Sequence, residues 1–245
     1  MTTTALSQTA TKPTLVKRPA AARGRTEIGW LRSRHTFSFG DYFDPDHMGF
    51  RTLRVINDDI VAAGMGFGTH PHRDAEIFSY VIEGELAHKD SLGNGRTIGA
   101  GDLQYISAGS GVQHSEFNPS RTAPTHFLQV WLKPNRTGGE PRYAEKTLGA
   151  AAKANALTLL FAPEARAGAI AIRQDAEISF GRLDAGKSLG VPVGTDRGVW
   201  VHVIKGELRV LGETLAEGDG AAIEQVAEIE LTAARDAEFL FFALA

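Results

Sequence analysis

The chain contains no cysteine. Disulfides, thiolate metal ligands and cysteine nucleophiles are excluded together, and the composition suits a reducing cytoplasm, where the protein is expected to reside. Any metal must therefore be held by imidazole and carboxylate. Excess charge of one sign is lacking too. A formal net charge of -3 over 245 residues gives no electrostatic reason to expect nucleic acid or an anionic membrane as the main partner. Long apolar runs are also missing, so no segment reads as a membrane span, and the polar, small residues from Met1 to Thr14 lack the apolar core of a signal peptide. Such a composition buries too little surface to offset its ordering entropy, and residues 1–13 are expected to be a disordered arm. Helical periodicity is scarce. Ala144 to Ala156 is the best helix candidate, with a single turn over Pro163 to Ala167.

What is present is strand-like. Phe78-Ser79-Tyr80-Val81-Ile82, Phe127 to Leu132, Val199 to Ile204 and Phe239 to Phe242 are short period-two or continuous apolar runs. Glycine, asparagine and aspartate punctuate them, as in the hairpin signal from Asp90 to Gly95 and the turn at Gly101-Asp102. A composition break falls at residues 134–141, and the chain says something similar on either side of it. Ile82-Glu83-Gly84-Glu85-Leu86 is matched by Ile204-Lys205-Gly206-Glu207-Leu208, and Gly99-Ala100-Gly101-Asp102 by Ala216-Glu217-Gly218-Asp219. Two matched phrases in the same order, each flanked by strands, suggest a duplication. The fold class is all-β: two jelly-roll barrels, 14–133 and 142–245, joined by a linker at 134–141. Between Lys12 and Arg34 seven basic residues meet Glu27 alone. That stretch reads as a solvated arm crossing the barrel surface rather than a nucleic-acid contact.

Seven of the eight histidines precede residue 127. In His70-Pro71-His72 the two imidazoles leave the same face of a strand, and His114-Ser115-Glu116 repeats the geometry with an imidazole and a carboxylate. On neighbouring barrel strands the pairs would converge on one interior point. Three imidazoles and one carboxylate suit a divalent first-row metal with positions left open. His70, His72, His114 and Glu116 are therefore the expected ligands. Gln113 and Gln129 are candidates to orient a ligand; His35 and Phe37 could wall the site or form a structural corner. Arg73, Asp74 and Glu76 read as a salt-bridged rim, and His88 and Asp90 as turn residues.

The spacing Gly64-x5-His70-x-His72-x3-Glu76-x7-Gly84 resembles the first cupin motif, and Gly101-x5-Ser107-x-Gly109-x4-His114-x3-Asn118 the second. In typical cupins a glutamate with six residues between it and the closing glycine is a ligand. Here Ile77 holds that place and Glu76 stands one residue early, so strand alternation should turn Glu76 away from the metal. Glu116 would restore the missing carboxylate. That exchange is similar to the pirin family, as are His35-Thr36-Phe37-Ser38-Phe39-Gly40, the run from Met48 to Asp59 and the run from Ser107 to Pro119. The similarity is dense from about Trp30 to Trp131, looser beyond, and strongest toward bacterial pirin-like proteins with quercetin 2,3-dioxygenase activity. The resemblance implies a metal-dependent opening of a flavonol heterocycle with O2 and release of carbon monoxide. It implies Fe(II) as the first expectation, with Mn, Co, Ni, Cu or Zn acceptable to the same ligands, and Glu116 as the group that takes the substrate's hydroxyl proton. A metal-bearing regulator with a protein partner, as the eukaryotic members are thought to be, and a non-oxidative cupin isomerase or ligand binder are the alternatives. Counting back from Gly206, the ligand places of the second barrel fall on Pro192 and Gly194, so that barrel is expected to hold no metal. A monomer is expected.

Overall fold

The alternation in Glu76–Glu83 decides how the two halves meet. In the computed structural model, which describes residues 12–149 and 152–245, Ile77, Ser79 and Val81 face the interior of the first barrel, while Glu76, Phe78 and Tyr80 face the second. The first barrel is a seven-stranded sheet against a four-stranded one. In spatial order the larger sheet runs Arg142–Thr147, Asp102–Ser107, Glu76–Glu83, Thr125–Leu132, Leu53–Val61, Leu31–His35 and Gly24–Glu27. The smaller runs Gly66–His72, Val112–Phe117, Glu85–Asp90 and Gly95–Gly99. The second barrel is built from nine strands, with Gly198–Val210 and Glu228–Leu244 at its centre. The molecule is all-β, two cupin barrels in one chain.

The interiors differ. The second barrel is filled by apolar side chains, among them Val199, Val201, Leu208, Ile229, Phe239 and Phe241. The first is apolar only at its ends, where Leu86, Ile98 and Phe127 pack in one cluster and Ile77, Ile106 and Val112 in another. Between them lies a belt of buried polar groups that includes Asn57, Ser79, Gln104, His114, Glu116 and Gln129. The barrels share a third apolar layer in which Phe78 meets Phe161 at 4.7 Å, Tyr80 meets Phe180 at 5.6 Å and Phe37 meets Trp200 at 5.0 Å. Each buried ring contributes on the order of 2 kcal/mol, so this layer is a common core rather than a loose contact.

Glu76 sits in that layer, not on a rim with Arg73 and Asp74. It is 1% exposed and accepts hydrogen bonds from the Tyr105 hydroxyl, from Ser107 Oγ at 2.6 Å and from the backbone N–H of Arg173 at 3.0 Å. The carboxylate thus ties the first barrel to the second.

Strand pairing also crosses the boundaries expected from composition. Thr14–Arg18 adds to the second barrel through Gly220–Glu224, and Arg142–Thr147 adds to the first through Asp102–Ser107. Arg142–Thr147 replaces the start of the expected helix, and Ala156–Ala162 is again a strand. Residues 163–164 form a bend and 167–168 a turn, with no helix over 163–167. Alanine-rich propensity is a weak prior, and completing the edge of a sheet outweighs it. Four cations of the basic stretch find partners: Lys17 with Asp219 at 2.8 Å, Arg18 with the Thr36 carbonyl at 3.1 Å, Arg23 with Asp58 at 2.9 Å and Arg34 with Glu27 at 2.9 Å. The expected arm at 1–13 lies mostly outside the described residues.

His202, in the shared layer, is 1% exposed and neither ring nitrogen has a protein partner. Burial, then the Arg23 charge, pushes it down to about 3 from 6.5. The unfolded chain therefore takes up a proton below about pH 6.5 that the folded chain refuses until about pH 3. Stability should fall as pH drops through that window, at about 1.4 kcal/mol per pH unit for this residue. Denaturant titrations between pH 6.5 and 4 should show a shallower decline for His202→Leu than for the wild type. An unchanged slope would assign the acid sensitivity elsewhere.

Candidate metal centre

Gly66–His72 and Val112–Phe117 are antiparallel neighbours, with His114 opposite His70 and Val112 opposite His72. The period-two spacing puts His70 and His72 on one face, and the pairing adds His114 beside them. The ring centroids form a near-equilateral triangle: 4.7 Å for His70–His72, 4.5 Å for His70–His114 and 4.8 Å for His72–His114. Nδ1 of His70 lies 2.8 Å from the Gly68 carbonyl, to which it donates, leaving Nε2 with a lone pair. Nε2 of His72 and of His114 are buried and have no hydrogen-bond partner. Burial, then the neighbouring imidazoles, pushes His72 down to about 4 and His114 to about 3. Both are neutral at pH 7, the form that coordinates a cation. Orphaned, neutral, convergent nitrogens fit a divalent metal.

Glu116 is placed differently from the expected single four-point set. The register shifts between His114 and Glu116, and Glu116 groups with His114 and His88, not with His70 and His72. Two triads result, His70/His72/His114 and His88/His114/Glu116, each with its ligand atoms within 4.8 Å of one another and with His114 in common. Glu116 is 1% exposed and accepts from Ser79 Oγ at 2.9 Å, from Gln129 Nε2 at 2.7 Å and from Gln104 Nε2. Gln129 is thus a neighbour of the site. Gln113 is not; its side chain is exposed on the outer face.

The turn reading of His88 and Asp90 is only half of their placement. Asp90 does shape the hairpin, accepting from the backbone N–H groups of Leu92 and Asn94, each at 2.9 Å. Yet both side chains are fully buried, His88 Nε2 lies 3.1 Å from Asp90 Oδ2, and His88 Nδ1 lies 3.4 Å from His114 Nδ1. The signal was in the sequence: His88-Lys89-Asp90 has the same period-two spacing as the other two pairs, on the strand that flanks His114 from the other side. Gly109 has φ +49 and a close neighbour, since a Cβ there would lie 2.4 Å from the Gly139 carbonyl oxygen. Its freedom serves the approach of the linker rather than of a ligand.

A cavity of about 300 Å³ opens on the imidazoles, with His70, His72, Phe39, Phe67, Asp59 and Trp131 in its wall. That volume is at the small end of ligand pockets. His35 also borders it, whereas Phe37 packs in the shared core. Asp59 is 3% exposed, and burial lifts its carboxyl to about 7. The cavity thus joins an aromatic wall of Phe39, Phe67 and Trp131 to polar side chains that include Asn57, Asp59 and Gln129, beside His70 and His72. Among the described residues, both potential metal-holding groups lie in the first barrel.

Fold and site together define a two-barrel cupin with a histidine-rich pocket in its first barrel. Residues 16–132 match the pirin family and residues 159–244 the quercetinase C-terminal cupin domain. A quercetin 2,3-dioxygenase from Escherichia coli K12 is 43% identical over 227 residues, which cover 93% of this chain and 97% of that protein. A pirin-like protein from Caulobacter vibrioides is 39% identical over 226 residues, covering 91% and 97%. The crystal structure of the E. coli pirin YhhW in complex with nickel(II) superposes with a TM-score of 0.91 at 42% identity, covering 94% of this chain and 99% of that one. The chain belongs to the pirin family.

Proposed function

We propose that this pirin is a metal-dependent dioxygenase that opens the heterocycle of flavonols such as quercetin with O2 and releases carbon monoxide. The observation that carries the reading is the cluster of three imidazoles, two with orphaned Nε2 atoms, of which His70 and His72 line a cavity walled in part by Phe39, Phe67 and Trp131. In this reading His70, His72 and His114 hold the metal, Fe(II), and Glu116, grouped with His114 in the second triad, completes the set as its carboxylate ligand. The likeness to relatives named quercetin 2,3-dioxygenase supports the substrate class, and the nickel-bound relative supports a divalent ion.

When bound, the metal supplies Lewis acidity that lowers the pKa of a substrate hydroxyl and holds the substrate at the site. The rest falls to the chain. Phe39, Phe67 and Trp131 offer apolar faces to a planar ring system. Ser79, Gln104 and Gln129 fix the Glu116 carboxylate, which takes the hydroxyl proton.

Protein purified without added metal, analysed for its elements and then mixed with quercetin in air, should bleach the flavonol absorbance and evolve carbon monoxide. Glu116→Gln should lose turnover by a larger factor than it loses metal, on the order of 100-fold in rate, the scale of losing a positioned proton acceptor. Absence of carbon monoxide from fully metallated wild-type protein with any flavonol would refute the activity. Equal loss of metal and turnover in the variant would make Glu116 a ligand only.

A further inference from the structure

The buried pair His88–Asp90 stands directly behind His114 and has no part in the reading above. Asp90 is held rigidly. Its Oδ1 accepts from the backbone N–H groups of Leu92 and Asn94, and its Oδ2 from Asn94 Nδ2 at 2.8 Å. His88 is held as firmly, its ring stacked on Tyr143 with centroids 4.8 Å apart and planes 18° from parallel. One of its nitrogens meets Asp90 at 3.1 Å and the other meets His114 Nδ1 at 3.4 Å.

The hydrogens along this chain can be assigned by elimination. Nε2 of His114 is the atom without a partner, in the group whose ligand atoms converge with those of His70 and His72. If Nε2 offers its lone pair to a cation, Nδ1 carries the hydrogen, and the neighbour able to accept it is His88 Nδ1. His88 must then carry its own hydrogen on Nε2, where Asp90 Oδ2 accepts it. A hydrogen on both facing Nδ1 atoms would oppose donor to donor, and none on either would oppose two lone pairs. Each link therefore fixes the next.

We propose that Asp90 and His88 are positioning residues that set the tautomer and orientation of His114 as a metal ligand, through a hydrogen-bonded chain Asp90–His88–His114. The inference rests on the metal centre proposed above but not on the dioxygenase reaction. A carboxylate behind a ligating imidazole raises its basicity and fixes its ring. Here the carboxylate acts at one remove, through a second imidazole. The competing geometry, in which His88 itself joins His114 and Glu116 around the ion, uses the same residues and must be separated by experiment.

The test is nickel(II) affinity, measured by chelator competition on wild type, His88→Leu, His88→Gln and Asp90→Asn. Glutamine can still accept from His114 Nδ1 through its amide oxygen; leucine cannot. Loss of such an outer partner typically weakens metal binding about 10- to 100-fold. The proposal expects that loss in His88→Leu and recovery of most of it in His88→Gln. In cobalt(II)-loaded protein, the exchangeable Nδ1 proton of His114 should give a shifted NMR signal that exchanges with solvent faster in His88→Leu. Unchanged affinity in His88→Leu overturns the proposal. So does equal loss in the leucine and glutamine variants, which would make His88 a ligand. Should His88→Leu not fold, as judged by the thermal midpoint of metal-free protein, Asp90→Asn carries the test: a weakening of about tenfold supports the chain, and wild-type affinity overturns it. Failure of wild-type protein to take up nickel would instead bring down the metal centre, and the chain with it.

Discussion

Replacing His114 by alanine should empty the metal centre. Metal per chain, by elemental analysis of protein purified without added metal, should fall below about a tenth of the wild-type value, and flavonol turnover should vanish with it. The loss should exceed the 10- to 100-fold typical of outer-shell changes, because a ligand itself is removed. His114 is also the one residue common to both triads. Removing His70 leaves His72 and His114, the two imidazoles whose buried Nε2 atoms have no partner, so alanine at 70 should retain more metal than alanine at 114. The fold should survive. His114 brings a buried nitrogen without a partner, and burial has already pushed its pKa down to about 3. Deleting such a group removes a desolvation penalty as well as a cavity's worth of contacts, so the metal-free variant should unfold within a few degrees of the metal-free wild type. Wild-type metal content in this variant would show that the ion sits elsewhere.

Much of this site was legible because strand geometry is simple. A period of two places His70 with His72 and His114 near Glu116, and one missed residue of phase turns Glu76 outward; both follow from spacing alone. What spacing cannot supply is the partner strand. The register shift between His114 and Glu116 separates the carboxylate from two of the imidazoles, and nothing local announces it. His88-x-Asp90 had the right spacing but sat beside a hairpin signal, and turn chemistry accounted for Asp90 well enough to hide its second role. The exchange of edge strands between the barrels is the same limitation on a larger scale. Thr14–Arg18 and Arg142–Thr147 have side-chain patterns compatible with an edge strand anywhere, and the sheet each completes is set by long-range pairing.

Glu76→Ala should be among the most destabilising single changes in the chain while leaving metal affinity as it was. Its carboxylate is the acceptor for two buried donors, the Tyr105 and Ser107 hydroxyls, and for the part-buried Arg173 N–H. An unpaired buried donor costs about 1–3 kcal/mol, and the absence of the buried carboxylate returns part of the sum, which leaves about 3–6 kcal/mol. At 2–4 °C per kcal/mol for a chain of this size, the thermal midpoint should drop by roughly 10–20 °C. Glu76→Gln keeps one acceptor oxygen and should lose about half as much. The cause can be isolated. Adding Tyr105→Phe to Glu76→Ala removes one of the stranded donors, so the double variant should be more stable than the sum of the two single changes predicts. Additive losses would mean that the Tyr105–Glu76 bond contributes little and that packing carries the effect. Loss of metal at unchanged stability would place Glu76 among the ligands, against the phase of its strand. The two glutamates are therefore separable by one pair of measurements. Glu116 should govern turnover, and Glu76 the attachment of the second barrel to the first.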